Sequence, residues 1–147
     1  MDMAKKITVL NGPNLNFLGK REPEIYGHET LKDIEALTRK CAHAHGFDID
    51  FLQSNLEGEL VSFIQDAIGK SAAIIINPAA YSHTSIAILD ALKMFEGPVV
   101  EVHLSNIHKR EAYRHHSFVS ERADAVIAGC GSAGYQFAVE YIVKHDL

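Results

Sequence analysis

Three stretches of the chain gather side chains able to do polar chemistry: Asn14, Arg21 and Tyr26; then Asn77 and His83; then His103, Ser105, Arg110 and Arg114, with Glu101 just ahead. Together they supply amides, hydroxyls, guanidinium groups and two imidazoles, with few carboxylates beyond Asp90 and Glu101. Such a set suits a small anion rich in hydroxyl groups. Arginine serves either a planar carboxylate or a phenol whose pKa must fall.

The elements that must hold these residues follow from hydrophobic periodicity. Apolar runs of strand length at Lys5–Leu10, Asp48–Gln53, Ala72–Asn77, Val99–His103 and Ala125–Ala128 alternate with amphipathic runs of helical period. This alternation is the pattern of a doubly wound α/β fold, a five-stranded parallel sheet with helices on both faces. Thr30 caps a first helix with stripe Leu31, Ile34, Leu37, Cys41 and Gly46 as its stop. Leu60, Phe63, Ile64, Ala67 and Ile68 form a second stripe, ended by Gly69. Thr84 or Ser85 caps a third helix running through Met94, and a fourth spans about Ala133 to His145. No repeat or linker interrupts the series, so residues 1–147 read as a single domain. Ligands of such a sheet bind outside the carboxyl ends of the strands, where all three polar stretches begin. Asn11–Glu29 and Ser105–Arg122 lack clear periodicity, and long loops in a compact domain tend to be functional.

Each residue also has a plainer reading. Tyr26 alone suits a turn anchor before Gly27, and the run from His108 to His116 suits a solvated basic face. The nine histidines include His43, His45, His115 and His116, yet neither close pair has a carboxylate or thiolate at ligand spacing, so no metal is expected. No Gly-x-Ser-x-Gly elbow follows a strand, and Gly129-x-Gly131 lies too late for a dinucleotide loop and reads as helix-entry packing. The formal charge of -5 removes the electrostatic basis for nucleic-acid binding. Cys41 and Cys130 read as reduced packing residues, and the absence of a signal core or a spanning segment points to a cytoplasmic protein with no membrane partner.

Three ordered stretches carry a resemblance: LNGPNLNFLGKREPEIYG at Leu10–Gly27, INPAAYSHTSIAILDAL at Ile76–Leu92 and EVHLSNIHKREAYRHHS at Glu101–Ser117. In content and order they resemble the signatures of type II 3-dehydroquinases, over nearly the whole chain. The resemblance implies a flavodoxin-like fold and cofactor-independent dehydration of 3-dehydroquinate to 3-dehydroshikimate, in the shikimate or quinate pathway. It implies a homo-oligomer, a dodecamer built from trimers, and a lid at about residues 11–29. Tyr26 is then the proton acceptor, His103 the proton donor, and Arg21 the lid residue that supports the transition state. Asn14 holds a water or the enolate oxygen, and Glu101 orients His103. Asn77, His83, Asp90, Leu104, Ser105 and Arg114 bind substrate, with Asp90 acting in a neighbouring subunit's site. Phe17, Lys20, Ser82, Leu89 and Lys109 depart from residues common in relatives, and Leu89, beside Asp90, bears on the subunit contact.

The implied roles fit the chemistry. A phenol with a pKa of about 10 becomes a usable base when a guanidinium lies beside it. Charge that develops on a ketone oxygen is stabilised by a placed amide or water, the part of Asn14. An imidazolium converts a leaving hydroxide into water, and alternate strand residues share a face, so Glu101 can point at His103. Gly12, Pro13, Gly19, Pro23 and Gly27 punctuate the lid, so it can be partly stiff and still hinge. The lysine-dependent dehydroquinases need a larger barrel than this length allows. A phosphoacceptor module would want clustered acids after the first strand and an Asp after the third, where this chain has Asn11-Gly12-Pro13-Asn14 and Asn77. A flavin protein would want a Ser/Thr/Gly phosphate loop, also missing after the first strand.

Overall fold

Five strands form the sheet: β1 Lys5–Asn11, β2 Phe47–Gln53, β3 Ala73–Asn77, β4 Val99–His103 and β5 Ala125–Ala128. The computed structural model describes residues 5–20, 22–25 and 27–145 and the backbone of Tyr26; Arg21 and the Tyr26 side chain, both named as site residues above, lie outside the described residues. All pairings are parallel and the order is β2-β1-β3-β4-β5. That order is the flavodoxin-like one, and its reversal point lies between β1 and β3.

Helices cover both faces, as the near-continuous apolar run Ile74-Ile75-Ile76 requires of a strand buried on two sides. On one face α2 (Leu31–Ala44) and α5 (Ala133–His145) bury Ile34, Ala42, Tyr135, Ala138 and Ile142 against Ile7, Val9 and Ile75. On the other, α3 (Glu57–Ala67) and α4 (Ile86–Lys93) bury Leu60, Ile64, Ile88 and Leu92 against Leu10, Ile74 and Ile76. Thr30 caps α2 in a reciprocal box with Asp33, and the Ser85 hydroxyl, rather than that of Thr84, caps α4 through Ile88 N–H.

Both stretches read as loops contain short helical turns: α1 (Pro23–Tyr26) and a 3-10 turn Leu15–Phe17 in the first, and 3-10 turns Ile107–Lys109, Ala112–Arg114 and Val119–Glu121 in the second. Turns of three or four residues are too short to show a period. One sequence expectation is corrected here. Cys130 is exposed, because Gly129, at φ +88°, turns the chain away from the sheet after β5; Cys41 does pack against the core. No described helix is long and apolar enough to cross a membrane.

Candidate active site

The carboxyl ends of β1, β3 and β4 open onto one cavity of about 240 Å³. Its walls are Pro13, Asn14 and Leu15 after β1; Asn77, Ala79, Ala80 and His83 at and after β3; and His103, Leu104, Ser105, Ile107, Arg110 and Arg114 at and after β4. The size suits a small metabolite, and its place beside the β1/β3 reversal is where this topology leaves a crevice.

Two of the walls are pressed together. Gly12 N–H donates to the Asn77 carbonyl at 2.8 Å, and a Cβ on Gly12 would stand 2.3 Å from the Pro78 oxygen. Only glycine permits that approach. Beyond it Asn14 adopts a left-handed backbone, φ 70°, which asparagine tolerates better than most residues. Its N–H is held by Asn55 Oδ1 at 2.9 Å, and Gln53 Nε2 bridges Asn55 Oδ1 and the Gly12 carbonyl at 3.2 Å each. Ala79 is also left-handed, φ 53°, its N–H donating to Asn77 Oδ1 at 3.2 Å. Strained backbone at two wall positions is a mark of functional sites.

Asn77 is oriented from behind. Its Nδ2 donates to the Tyr135 hydroxyl at 3.1 Å, which donates to Asn11 Oδ1 at 2.7 Å, while Asn11 Nδ2 reaches the Leu52 carbonyl at 3.0 Å. Burial pushes the Tyr135 phenol far above its ordinary range, so it stays a neutral donor.

His103 is 5% exposed and Glu101 fully buried. Strand alternation puts both on one face of β4, and Glu101 Oε2 bonds His103 Nε2, leaving Nδ1 as the nitrogen available to a ligand. Burial alone would raise the Glu101 carboxyl, but hydrogen bonds from His103 and Ser120 outweigh it and hold the group below its ordinary value, as a carboxylate.

His83 lines the same cavity as His103. Its Nδ1 lies 2.8 Å from the His116 carbonyl, which can only accept, so Nδ1 carries the hydrogen. Burial depresses the His83 pKa; the carbonyl opposes this, and the His103 and Arg114 charges add to it. The neutral ring then offers Nε2 as an acceptor for a ligand hydroxyl. Glu111 Oε2 receives Arg114 Nε at 3.0 Å and the Tyr113 hydroxyl at 2.6 Å, and these bonds, Tyr113 first, bring its pKa down to about 2. Glu111 thereby sets the direction of one wall guanidinium.

Of the residues singled out from sequence, Asn14, Asn77, His83, His103, Leu104, Ser105, Arg110 and Arg114 meet at this cavity, and Glu101 stands behind His103. Asp90 is apart from it, exposed on α4. Sequence reasoning did not select Leu15, Ala79, Ala80 or Ile107 as wall residues, nor Tyr135, Ser120, Asn55 and Gln53 as supports. Apolar wall residues carry no chemical signal, although Leu15 adjoins Asn14 and Ala79 adjoins the Asn77-Pro78 corner. Among the described residues no group of three or more His, Cys, Asp or Glu is placed to hold a metal ion.

Comparison with known proteins agrees across sequence and structure. The family described as Dehydroquinase class II matches residues 5–143. A protein of Bartonella henselae named 3-dehydroquinate dehydratase is 70% identical over 142 residues, 97% of this chain and 96% of that one. One of the same name from Streptomyces avermitilis is 66% identical over 137 residues, 92% of this chain and 86% of that one. The crystal structure of a type II dehydroquinase from Propionibacterium acnes superposes with a TM-score of 0.93 at 43% identity, covering 98% of this chain and 99% of that one.

Proposed function

The chain belongs to the class II dehydroquinase family, and on that basis we propose that its cavity is where 3-dehydroquinate loses water, with Tyr26 accepting a proton and His103 donating one. The chain is a hydro-lyase that converts 3-dehydroquinate to 3-dehydroshikimate in the shikimate or quinate pathway. The observation that carries the assignment of roles is the buried Glu101 carboxylate on Nε2 of a histidine whose other nitrogen is left for the cavity.

The substrate has a ketone, an acidic hydrogen beside it and a hydroxyl one carbon further. The Tyr26 phenolate, favoured by Arg21, takes that hydrogen as a proton, and the electron pair of the C–H bond moves onto the ketone oxygen as an enolate. Asn14 stabilises the enolate through its amide or a held water. As the carbonyl re-forms, the C–O bond to the hydroxyl breaks, and His103 delivers its proton so that water leaves. The chain ends the turnover with a proton gained at Tyr26 and one lost from His103, which exchange restores. Leu104 and Ser105, at the start of the loop after β4, bind the substrate chiefly through its carboxylate. Arg114, Asn77 and the acceptor nitrogen of His83 take up the remaining polar groups.

The lid carrying Arg21 and Tyr26 closes over this cavity. Buried Leu15 and Leu18 anchor the first part of residues 11–29, and the stems meet where Gly19 packs against the His28 and Glu29 carbonyls. The working form is a cytoplasmic dodecamer of trimers in which Asp90 completes a neighbour's site. Its exposure on α4, beside exposed Ile86 one turn earlier, supports that arrangement.

The test is direct. Purified protein mixed with 3-dehydroquinate should give rising ultraviolet absorbance as the conjugated enone forms, and His103→Ala should abolish most of the rise. A flat trace at micromolar enzyme would remove the activity, and full turnover by the variant would remove the role of His103.

A further inference from the structure

Behind His103 the hydrogen-bonded series does not stop at Glu101. The Ser120 hydroxyl donates to Glu101 Oε1 at 2.6 Å while Oε2 faces the imidazole, so the two carboxylate oxygens are held from opposite sides. A fully buried carboxylate held at one oxygen only would be half satisfied and free to swing about its last torsion. From these contacts we infer that Ser120 is a positioning residue for the reaction, fixing the Glu101 carboxylate so that it aims His103 at the leaving hydroxyl. This rests on the reading of His103 as proton donor.

Ser120 can do this because its short turn is fastened at both flanks. Its neighbour Val119 is fully buried in the α3/α4 core, and Phe118 N–H donates to the Ser82 carbonyl at 2.8 Å. On the other side the Arg122 guanidinium spans the end of α4, donating to the carbonyls of Leu92 at 3.1 Å and of Phe95 and Gly97 at 2.7 Å each. It also bonds Asp124 Oδ2 at 3.2 Å, and the same oxygen accepts Val99 N–H at 2.9 Å where β4 begins. The turn that carries Ser120 is therefore stitched to the strand that carries Glu101 and His103. The serine itself is exposed, so its hydroxyl is the part of the residue that matters to the interior.

The experiment compares Ser120→Ala, Ser120→Thr and Ser120→Val with His103→Ala and the unmodified chain, measuring kcat, KM and thermal midpoint. Removal of a hydrogen bond to a charged group should lower kcat of Ser120→Ala about tenfold with KM within about twofold. Ser120→Thr should recover most of kcat, and Ser120→Val, which differs from it only in the hydroxyl, should not. Unchanged kcat in a folded Ser120→Ala beside an inactive His103→Ala overturns the inference. So does equal activity of the Thr and Val variants, which remains readable if alanine prevents folding. Full turnover by His103→Ala would instead remove the reading on which the inference stands.

Discussion

Tyr135 and Asn77, 58 residues apart in the chain, share a 3.1 Å hydrogen bond in the core, and through it a helix on one face of the sheet sets the direction of an amide in the cavity wall. Tyr135→Phe would leave Asn11 Oδ1 and one hydrogen of Asn77 without a partner where water is excluded. The expected cost is about 1–3 kcal/mol of stability, together with a raised KM because the Asn77 amide can turn. Urea unfolding and steady-state kinetics on the same preparation check both, and an unchanged midpoint would show the hydroxyl to be dispensable.

Glu101→Gln keeps the size of the side chain and removes its charge. His103, the proposed proton donor, then loses the carboxylate beside its ring, and kcat should fall by about two orders of magnitude, within the range of a general-acid contribution. A loss confined to KM would contradict the assignment.

His83 gives a pH-dependent effect of fixed sign. Its folded pKa lies below the ordinary value of 6.5, so below that pH the unfolded chain takes up its proton before the folded one does. The contribution of His83 to stability is complete above about pH 6.5 and is lost as the pH falls toward the folded value. Urea midpoints measured from pH 7.5 to 5.5 should therefore fall less steeply for His83→Gln than for the unmodified chain. A steeper fall would reverse the sign.

Gly12→Ala places a methyl group where the Pro78 oxygen already stands, 2.3 Å from the new carbon. Both partners are backbone, so neither can move without separating the walls, and the variant should lose at least about 2 kcal/mol. Thermal unfolding reads this loss, with a matched loss of turnover.

Asp90 can be tested by mixing. If it completes a neighbour's site, Asp90→Ala and His103→Ala subunits, each inactive alone, should regain part of the activity when unfolded and refolded together. No recovery in a mixed oligomer, verified by mass, would confine Asp90 to its own chain.

The fold was legible because its elements are long enough to show a period. The strands Val99–His103 and Ala125–Ala128 appear with the boundaries read from sequence, and the helix ends follow from Thr30, Gly46 and Ser85. The cavity was legible wherever a polar residue stands at a strand end, as with Asn77 and His103. It was not legible where position depends on a short turn, as with Ile107, or where a distant residue works on another, as Tyr135 does on Asn77. Nothing local in the sequence marks Tyr135 as more than an apolar helix residue, because its partner is chosen by the packing of α5 on β3. Ser120 is hidden in the same way, one hydroxyl in a turn too short to give a period.

The order β2-β1-β3-β4-β5 also constrains when the enzyme can first work. Its cavity draws on strands whose pairing is non-local, with β1 between β2 and β3 and β4 on the other side of β3. Such sheets form slowly, because distant segments must meet before any contact rewards them. No partial assembly that lacks β4 holds His103, the proposed proton donor, in place. During refolding, enone formation should therefore start after helical signal has returned, which makes turnover a clock for the docking of β4 on β3.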